Sequence, residues 1–144
     1  MSELRIERVY PIGPAELFAY ITDPEKLVKW WGPEGATVLN ASLDFARTGP
    51  WSMTLQTPRG AFEMRGIVKN VAPPTSVEFT MNVPGQDAPD STVRFDISPD
   101  SSGRSRFVLT QSGITDQMVE MGKQGWGSTL GRLEKLLGLT GRTS

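Results

Sequence analysis

The chain has 144 residues, 38% of them apolar and 22% charged, which is typical of one globular domain, here predicted to span residues 1–144. Its formal net charge of −1 gives no electrostatic reason to expect a nucleic-acid partner or an anionic membrane surface, and no run of about 18 apolar residues predicts a membrane-spanning helix. The N-terminal segment lacks the apolar core of a signal peptide, so a cytoplasmic location is expected.

The first part of the chain predicts one strand followed by two short helices. Polar and apolar residues alternate over residues 3–10, as in a strand with one buried face. Pro14 stands at the first position of a helical pattern, where its missing N–H removes no helical hydrogen bond. Asp23 precedes Pro24 as the cap of a second helix, which Gly32 ends.

From residue 36 to residue 111 the hydrophobic period is mostly two, which predicts an antiparallel sheet. The predicted strands cover residues 36–44, 48–57, 60–71, 76–83, 91–99 and 104–112. Polar turns rich in Pro, Gly, Asp and Ser separate them. Alternation along these strands gives the sheet one apolar face and one polar face, so only one face is expected to lie against the core.

The clearest hairpin turns at residues 57–60. Symmetric pairing about this turn predicts a register that opposes Leu55 and Phe62, Met53 and Met64, and Trp51 and Gly66. All of these residues share the apolar face. Gly66 opposite Trp51 would let the indole lie over bare backbone and would allow the strand to bend.

A long helix is predicted over residues 115–138, with Thr115 as its cap. Its apolar stripe follows spacings of three and four and comprises Met118, Gly122, Trp126, Thr129, Leu130, Leu133 and Leu137. Arg132 and Lys135 are expected on the other side of this helix. The segment GWGSTLGRLEKLLG is unusually rich in glycine, although each mid-helix glycine costs about 1 kcal/mol relative to alanine. Close packing against the sheet, or space left for a ligand, would explain these glycines.

The order of strand, two short helices, six strands and long helix predicts an α+β fold in which a strongly curved antiparallel sheet wraps around the C-terminal helix. This order resembles the helix-grip fold of the START-like, or SRPBCC, superfamily. The resemblance lies in three stretches: ITDPEKLVKWWGPEG, GPWSMTLQTPRGAFEMRGIV and GWGSTLGRLEKLL. Within the superfamily, the chain is similar to the family named for the activator of the heat-shock-protein-90 ATPase.

That family has a closing helix with the pattern Gly-Trp-x-x-x-Leu-x-x-Leu, matched here by Gly125, Trp126, Leu130 and Leu133. The stretch LDFARTGPWSM departs from the family, which often has a Gly-Gly pair before the third strand. Pairing is therefore expected to be looser there, with a later strand start.

The resemblance implies a ligand cavity between the sheet and the closing helix, because many superfamily members hold a ligand there. Its predicted lining residues are Trp51, Met53, Leu55, Phe62, Met64, Phe79, Met81, Phe107, Met118, Gly122 and Trp126. The same residues are equally compatible with a packed core in which methionine fills gaps, so both alternatives remain open. One of Trp30 and Trp31 is expected to anchor the second helix, and the other could lie exposed near the cavity mouth.

Catalytic chemistry has little support in the composition. The chain has no His and no Cys, which removes the usual zinc ligands and the Ser-His and Cys-His nucleophiles. No catalytic residue, metal site or cofactor is predicted. Asp44 and Arg47 come closest to a buried polar pair, and a salt bridge is the preferred interpretation. Gln111 and Asn40 could contact a ligand, although a satisfied core amide is the simpler interpretation of each.

Three functions follow from the residues and the resemblance. The first is a non-catalytic domain that binds an apolar small molecule or lipid. The second is a co-chaperone-like protein that acts on the heat-shock-protein-90 ATPase. The third is an enzyme similar to polyketide cyclases and dehydratases, against which the missing His and the outward-facing carboxylates count. No oligomeric state is predicted.

Overall fold

Seven strands and three α-helices follow one another in the predicted order within residues 2–32, 35–42, 44–82 and 90–138, which the computed structural model describes. They are β1 (Ser2–Tyr10), α1 (Pro14–Thr22), α2 (Pro24–Leu27), β2 (Thr37–Ser42), β3 (Gly49–Thr57), β4 (Gly60–Ala72), β5 (Ser76–Met81), β6 (Ser91–Pro99), β7 (Ser105–Ile114) and α3 (Asp116–Leu136).

All seven strands form one antiparallel sheet in the order β1-β7-β6-β5-β4-β3-β2. The first strand in sequence thus pairs with the last, while β2 forms the opposite edge. The sheet curls around the long C-terminal helix, which confirms the predicted fold class. The β3–β4 register is also as predicted: Leu55 is opposite Phe62, Met53 opposite Met64, and Trp51 opposite Gly66.

The strand limits differ from the prediction by one or two residues. Residues 43 and 83, which the pattern assigns to strands, lie outside the described residues. Before β3, the Asp44 carboxylate accepts the backbone N–H of Ala46 at 2.9 Å. Such a turn satisfies the backbone locally instead of in the ladder, which explains why residue 44 is not part of β2 as predicted.

A close approach between β4 and β5 requires glycine at position 66. A β-carbon built on Gly66 would lie 1.8 Å from the carbonyl oxygen of Thr80 and 2.8 Å from the indole nitrogen of Trp51. That indole N–H donates to the same Thr80 carbonyl at 3.0 Å, and the Thr80 hydroxyl accepts the backbone N–H of Ile67 at 2.9 Å. Side-chain hydrogen bonds therefore join β3, β4 and β5 around Gly66.

The two short helices lie between β1 and β2 in the chain. The α1 helix buries Leu17, Phe18 and Ile21 in the core. As predicted, Asp23 caps α2, because its carboxylate accepts the backbone N–H of Glu25 at 2.9 Å.

The α3 helix turns its predicted stripe toward the sheet. Trp126, Thr129, Leu130 and Leu133 are buried, and Met118 is half-buried.

Long α-helices can also span membranes when they are apolar throughout. Among the described residues, no helix is both long and apolar enough to cross a membrane.

Candidate functional site

Aromatic rings fill the space between the sheet and α3. This aromatic cluster consists of Trp31, Phe45, Trp51, Phe79, Phe95 and Trp126. Ring centroids in contact are between 4.5 Å and 6.2 Å apart, and most pairs meet edge to face. These are favourable distances and orientations for aromatic pairs. No ring in the cluster exposes more than the 7% of Trp126.

Trp31 packs among several rings of the aromatic cluster. Its ring meets those of Phe45, Trp51 and Trp126 edge to face, and its indole N–H points at the sulfur of Met64 at 3.5 Å. Trp30 is fully buried too, and its indole N–H donates to the carbonyl oxygen of Tyr20 at 2.9 Å. Neither tryptophan is exposed, so the alternative of an exposed ring near a cavity mouth does not hold.

Phe45 belongs to the cluster although the sequence did not mark it. It lies in the turn before β3, outside any strand or helix period, yet it is completely buried. Its ring centroid is 4.5 Å from that of Phe79. A large aromatic residue within an otherwise polar turn was the only signal in the sequence.

Most of the residues predicted to line a cavity are buried together here. The buried ones are Trp51, Met53, Leu55, Met64, Phe79, Met81, Phe107 and Trp126. Phe62 and Met118 are half-buried. Two depressions on the described residues open at the surface. Ligand binding by this set stays a prediction.

Gly122, one of the residues predicted to line the cavity, packs against β1. A β-carbon on Gly122 would lie 2.5 Å from Cδ2 of Leu4 on β1, so this glycine serves close packing between α3 and β1. By contrast, β-carbons on Gly125, Gly127 and Gly131 would meet no atom within 4 Å outside their own helix neighbourhood. Close packing therefore does not explain Gly125 and Gly127, and nothing else in the described structure explains them.

Buried polar groups inside the core satisfy one another. The indole N–H of Trp126 donates to Oε1 of Gln111 at 2.9 Å, and Nε2 of Gln111 donates to the hydroxyl of Ser91 at 2.8 Å. That hydroxyl in turn donates to the carbonyl oxygen of Met81 at 3.1 Å. This confirms the interpretation of Gln111 as a satisfied core amide, whereas Asn40 is exposed on β2.

Asp44 and Arg47 form an ion pair at the surface, with Arg47 Nε 3.0 Å from Asp44 Oδ2. The Arg47 side chain is 81% exposed. The expectation of a buried pair is wrong, because the turn before β3 points both side chains outward. The salt-bridge interpretation is confirmed.

One titratable group, Tyr10, is buried beneath the C-terminal half of α3. Its hydroxyl donates to Oε2 of Glu134 at 3.1 Å, and Arg8 Nε lies 3.6 Å from the same oxygen. Burial, reinforced by the neighbouring Glu134 carboxylate, raises the pKa of Tyr10 well above its usual value. Tyr10 thus acts as a neutral hydrogen-bond donor that joins β1 to α3.

The described residues contain no group of three or more His, Cys, Asp or Glu side chains placed to hold a metal ion.

Two depressions mark the described surface. One, of about 260 Å³, is lined by Asn40, Ala41, Ser42, Ser52, Met53, Thr54 and Glu63. The other, of about 320 Å³, is lined by Lys29, Arg132, Lys135 and Leu136 and is called the basic depression below.

Arg132 shapes the basic depression from a position that the sequence assigned to the outer side of the helix. Its guanidinium donates to the carbonyl oxygens of Trp31 at 2.9 Å and Gly32 at 3.1 Å. The turn that follows α2 is thereby tied to α3. The sequence pattern placed Arg132 on the other side of α3 from the apolar stripe and gave no sign of these backbone partners.

Comparison with known proteins agrees with this architecture. The family model described as "Activator of Hsp90 ATPase homolog 1-like protein" matches residues 12–138. The crystal structure of the AHSA1 protein from Silicibacter pomeroyi is similar, with 36% identity, a TM-score of 0.87, and coverage of 96% of this chain and 99% of that one.

Two further crystal structures are similar in fold at lower identity. A protein from Chromobacterium violaceum shows 24% identity and a TM-score of 0.82, with 93% of this chain and 95% of that chain covered. A protein from Nitrosomonas europaea shows 24% identity and a TM-score of 0.78, with 94% of each chain covered. No curated protein matches the chain significantly. The match over residues 12–138 and the 36% identity establish that the chain belongs to the Activator of Hsp90 ATPase homolog 1-like family.

Proposed function

We propose that this domain acts by binding another protein through its surface, without catalysing a reaction, and that the partner is the heat-shock-protein-90 chaperone named in the family description. The observation that carries the proposal is the aromatic cluster, which occupies the space where a ligand would otherwise lie. A domain with a filled interior offers its outer surface for recognition. The cytoplasm is its expected location.

The energetics of the aromatic cluster support this choice. Ligand pockets in proteins usually have volumes of about 300–1,000 Å³ and are largely formed before the ligand arrives. To open such a space here, Trp31 would have to leave several aromatic neighbours. Each such pair contributes about 0.5–1.5 kcal/mol beyond its buried area. A ligand would therefore have to offset several kcal/mol before it bound at all.

The test is saturable binding to purified heat-shock protein 90, measured by sedimentation velocity, together with the chaperone's ATPase rate. We expect a complex and a change in ATPase rate that saturates at the same concentration of domain. An unrelated domain of similar size and charge is the control, and a chaperone inhibitor identifies background hydrolysis. Neither complex nor rate change at the highest attainable concentration would rule out this partner.

A second candidate, binding of an apolar small molecule, is favoured by the methionines within the core. Met53, Met64 and Met81 are flexible side chains that can rearrange around a guest. Met64 and Met81 also keep 8% and 7% exposure, which places them nearer to solvent than Phe79 at 0%. Native mass spectrometry of freshly purified protein tests this candidate. A reproducible adduct that apolar competitors displace would favour it over the surface function.

The cyclase or dehydratase alternative needs an acid and a base that face the interior. Apart from Tyr10, the buried polar side chains of the described residues are Thr22, Ser91, Ser105, Gln111 and Thr129, none of which titrates near neutral pH. No observation on the described residues supports this alternative over the other two.

A further inference from the structure

The two edge strands of the sheet, β1 and β2, differ in how well they are protected. Four of the nine residues of β1 are charged, and α3 packs beside this strand, where the Glu134 carboxylate accepts the Tyr10 hydroxyl at 3.1 Å. The opposite edge, β2, has the sequence TVLNAS, with no charged residue and no proline. Charges, proline and covering elements are common means of keeping a sheet edge from pairing with another strand. Of the two edges, β2 is therefore the one that favours such pairing.

The outer side of β2 is accessible along the strand. No other strand lies beyond it within residues 2–32, 35–42, 44–82 and 90–138. Every residue of β2 is exposed except Val38, which is half-buried, and Leu39 exposes 54% of its surface. An edge strand also has backbone N–H and C=O groups that lack a partner in the ladder. This edge therefore offers backbone hydrogen-bonding groups next to an exposed apolar side chain.

A bulge decides which side chains of β2 share a face of the sheet. Leu39 has no partner on β3, and the register shifts around it. Thr37 and Ser42 consequently both lie on the polar face of the sheet. Val38 and Ala41 both lie on the apolar face. In a regular strand, residues three or five positions apart would lie on opposite faces, so this arrangement exists only because of the bulge.

We propose that β2 pairs with β2 of a second copy of this chain, antiparallel and about a two-fold axis at the middle of the strand. Residues that lie opposite each other in such a pair must share a face of the sheet. The bulged strand meets this condition, because Thr37 of one copy lies opposite Ser42 of the other, and Val38 opposite Ala41. Hydroxyl groups thus meet hydroxyl groups and apolar side chains meet apolar side chains. No charged side chains of β2 are brought together.

This self-complementary pattern selects a second copy as the occupant and limits the assembly to two chains. Two-fold pairing occupies both β2 edges and leaves only the charged β1 edges, so the assembly closes as a dimer. The net charge of −1 causes little repulsion between copies. Six residues a side are few compared with the roughly 20–30 of a stable interface, so the dimer is weak and depends on concentration. The inference does not assume the chaperone partner.

Sedimentation equilibrium of the full chain, from about 10 μM to about 1 mM, tests the pairing. We expect the average mass to rise from that of one chain toward that of two, and no further. Hydrogen exchange at the backbone amides of β2 should slow over the same range, whereas exchange in β1 should not change. A mass that stays at one chain throughout, or that grows beyond two chains, would overturn the proposal.

Charges placed at the two ends of β2 test the register. Thr37→Lys with Ser42→Lys sets like charges opposite each other at both ends, so association should weaken about tenfold. Thr37→Lys with Ser42→Glu sets each lysine opposite a glutamate of the other copy, so association should return to at least the wild-type level and should weaken with added salt. Both positions are exposed, and circular dichroism confirms that each variant is folded. Equal association of the two variants would overturn this register.

The control variant is Gln117→Lys with Gln124→Lys, which changes the net charge as the double-lysine variant does. Both residues are exposed on α3, away from β2. We expect this control to associate like the wild type, and an equal loss would assign the effect to net charge and overturn the β2 pairing.

A synthetic peptide of sequence TVLNAS, blocked at both ends, separates the second copy from other strands as occupant. Its binding is followed by the amide NMR signals of β2, and we expect it to shift these signals and to compete with self-association. If the peptide binds β2 while the chain itself stays monomeric at about 1 mM, the edge accepts a strand but the second copy is wrong as its occupant.

Discussion

Gly122 on α3 and Leu4 on β1 approach each other so closely that a β-carbon on Gly122 would lie 2.5 Å from Cδ2 of Leu4. The same helix contains Gly127, where a β-carbon would meet no atom within 4 Å. One glycine of α3 therefore has a packing reason and another has none. Substitutions at these two positions can therefore test how closely α3 packs against β1.

Gly127→Ala should raise the free energy of unfolding above that of Gly122→Ala. Both substitutions gain about 1 kcal/mol of helix propensity. Only Gly122→Ala overpacks the core, at a cost of about 1–3 kcal/mol. Urea unfolding should therefore place Gly122→Ala about 1–3 kcal/mol below Gly127→Ala. In a Leu4→Ala background the gap should close, because the clashing methyl group is gone. Equal stability of the two variants in the wild-type background would mean that free space adjoins Gly122.

Local patterns predicted the parts of the fold that depend on sequence neighbours. The β3–β4 register followed from a short turn and strict alternation, because a slip of one residue would turn Met53 and Met64 to solvent. The apolar stripe of α3 followed equally from its spacing. Both features depend on residues that lie close together in the sequence. They can therefore be recognised without knowing what the strands or the helix pack against.

Features that depend on distant parts of the chain could not be predicted. Phe45 and Trp31 lie in turns that have no period, and only the tertiary fold turns their rings into one cluster. The contact of Gly122 with Leu4 joins the two ends of the described chain. Arg132 binds a carbonyl oxygen 101 residues away. The helical wheel of α3 places Arg132 on the side away from the apolar stripe and gives no sign of that partner.

Trp126→Phe should destabilise the protein by about 1–3 kcal/mol, because it leaves Oε1 of Gln111 buried without its donor. Truncation to alanine should cost more, about 3–5 kcal/mol, since the whole ring is lost. A double-mutant cycle with Gln111→Met isolates the hydrogen bond. The cost of Trp126→Phe should fall in that background. An unchanged cost would assign the effect to ring shape alone.

Arg132→Lys should not preserve the link between α3 and the turn after α2. A lysine ammonium cannot present the planar fork that reaches the Trp31 and Gly32 carbonyl oxygens together. Hydrogen bonds from charged groups contribute about 1.5–3 kcal/mol, so a loss toward that size is expected in urea unfolding. Hydrogen exchange should also quicken at Trp31, whose N–H bonds to Leu27. The control is Lys123→Met, and exchange at Trp31 that matches this control would show that Arg132 does not secure the turn.

Tyr10 should make the stability of the protein fall in alkaline solution. Burial and the Glu134 carboxylate raise the pKa of Tyr10 in the folded state, whereas an unfolded tyrosine titrates near its ordinary value of about 10. The unfolded chain therefore loses this proton first, so stability is fully present below about pH 10 and falls by up to about 1.4 kcal/mol per pH unit above it. Tyr10→Phe removes both this titration and the hydrogen bond to Glu134, which contributes about 1 kcal/mol. Urea unfolding should show the variant less stable near neutral pH, with the difference shrinking or reversing at about pH 11. A difference that stays constant over this range would mean that the Tyr10 hydroxyl titrates alike in the folded and unfolded chains.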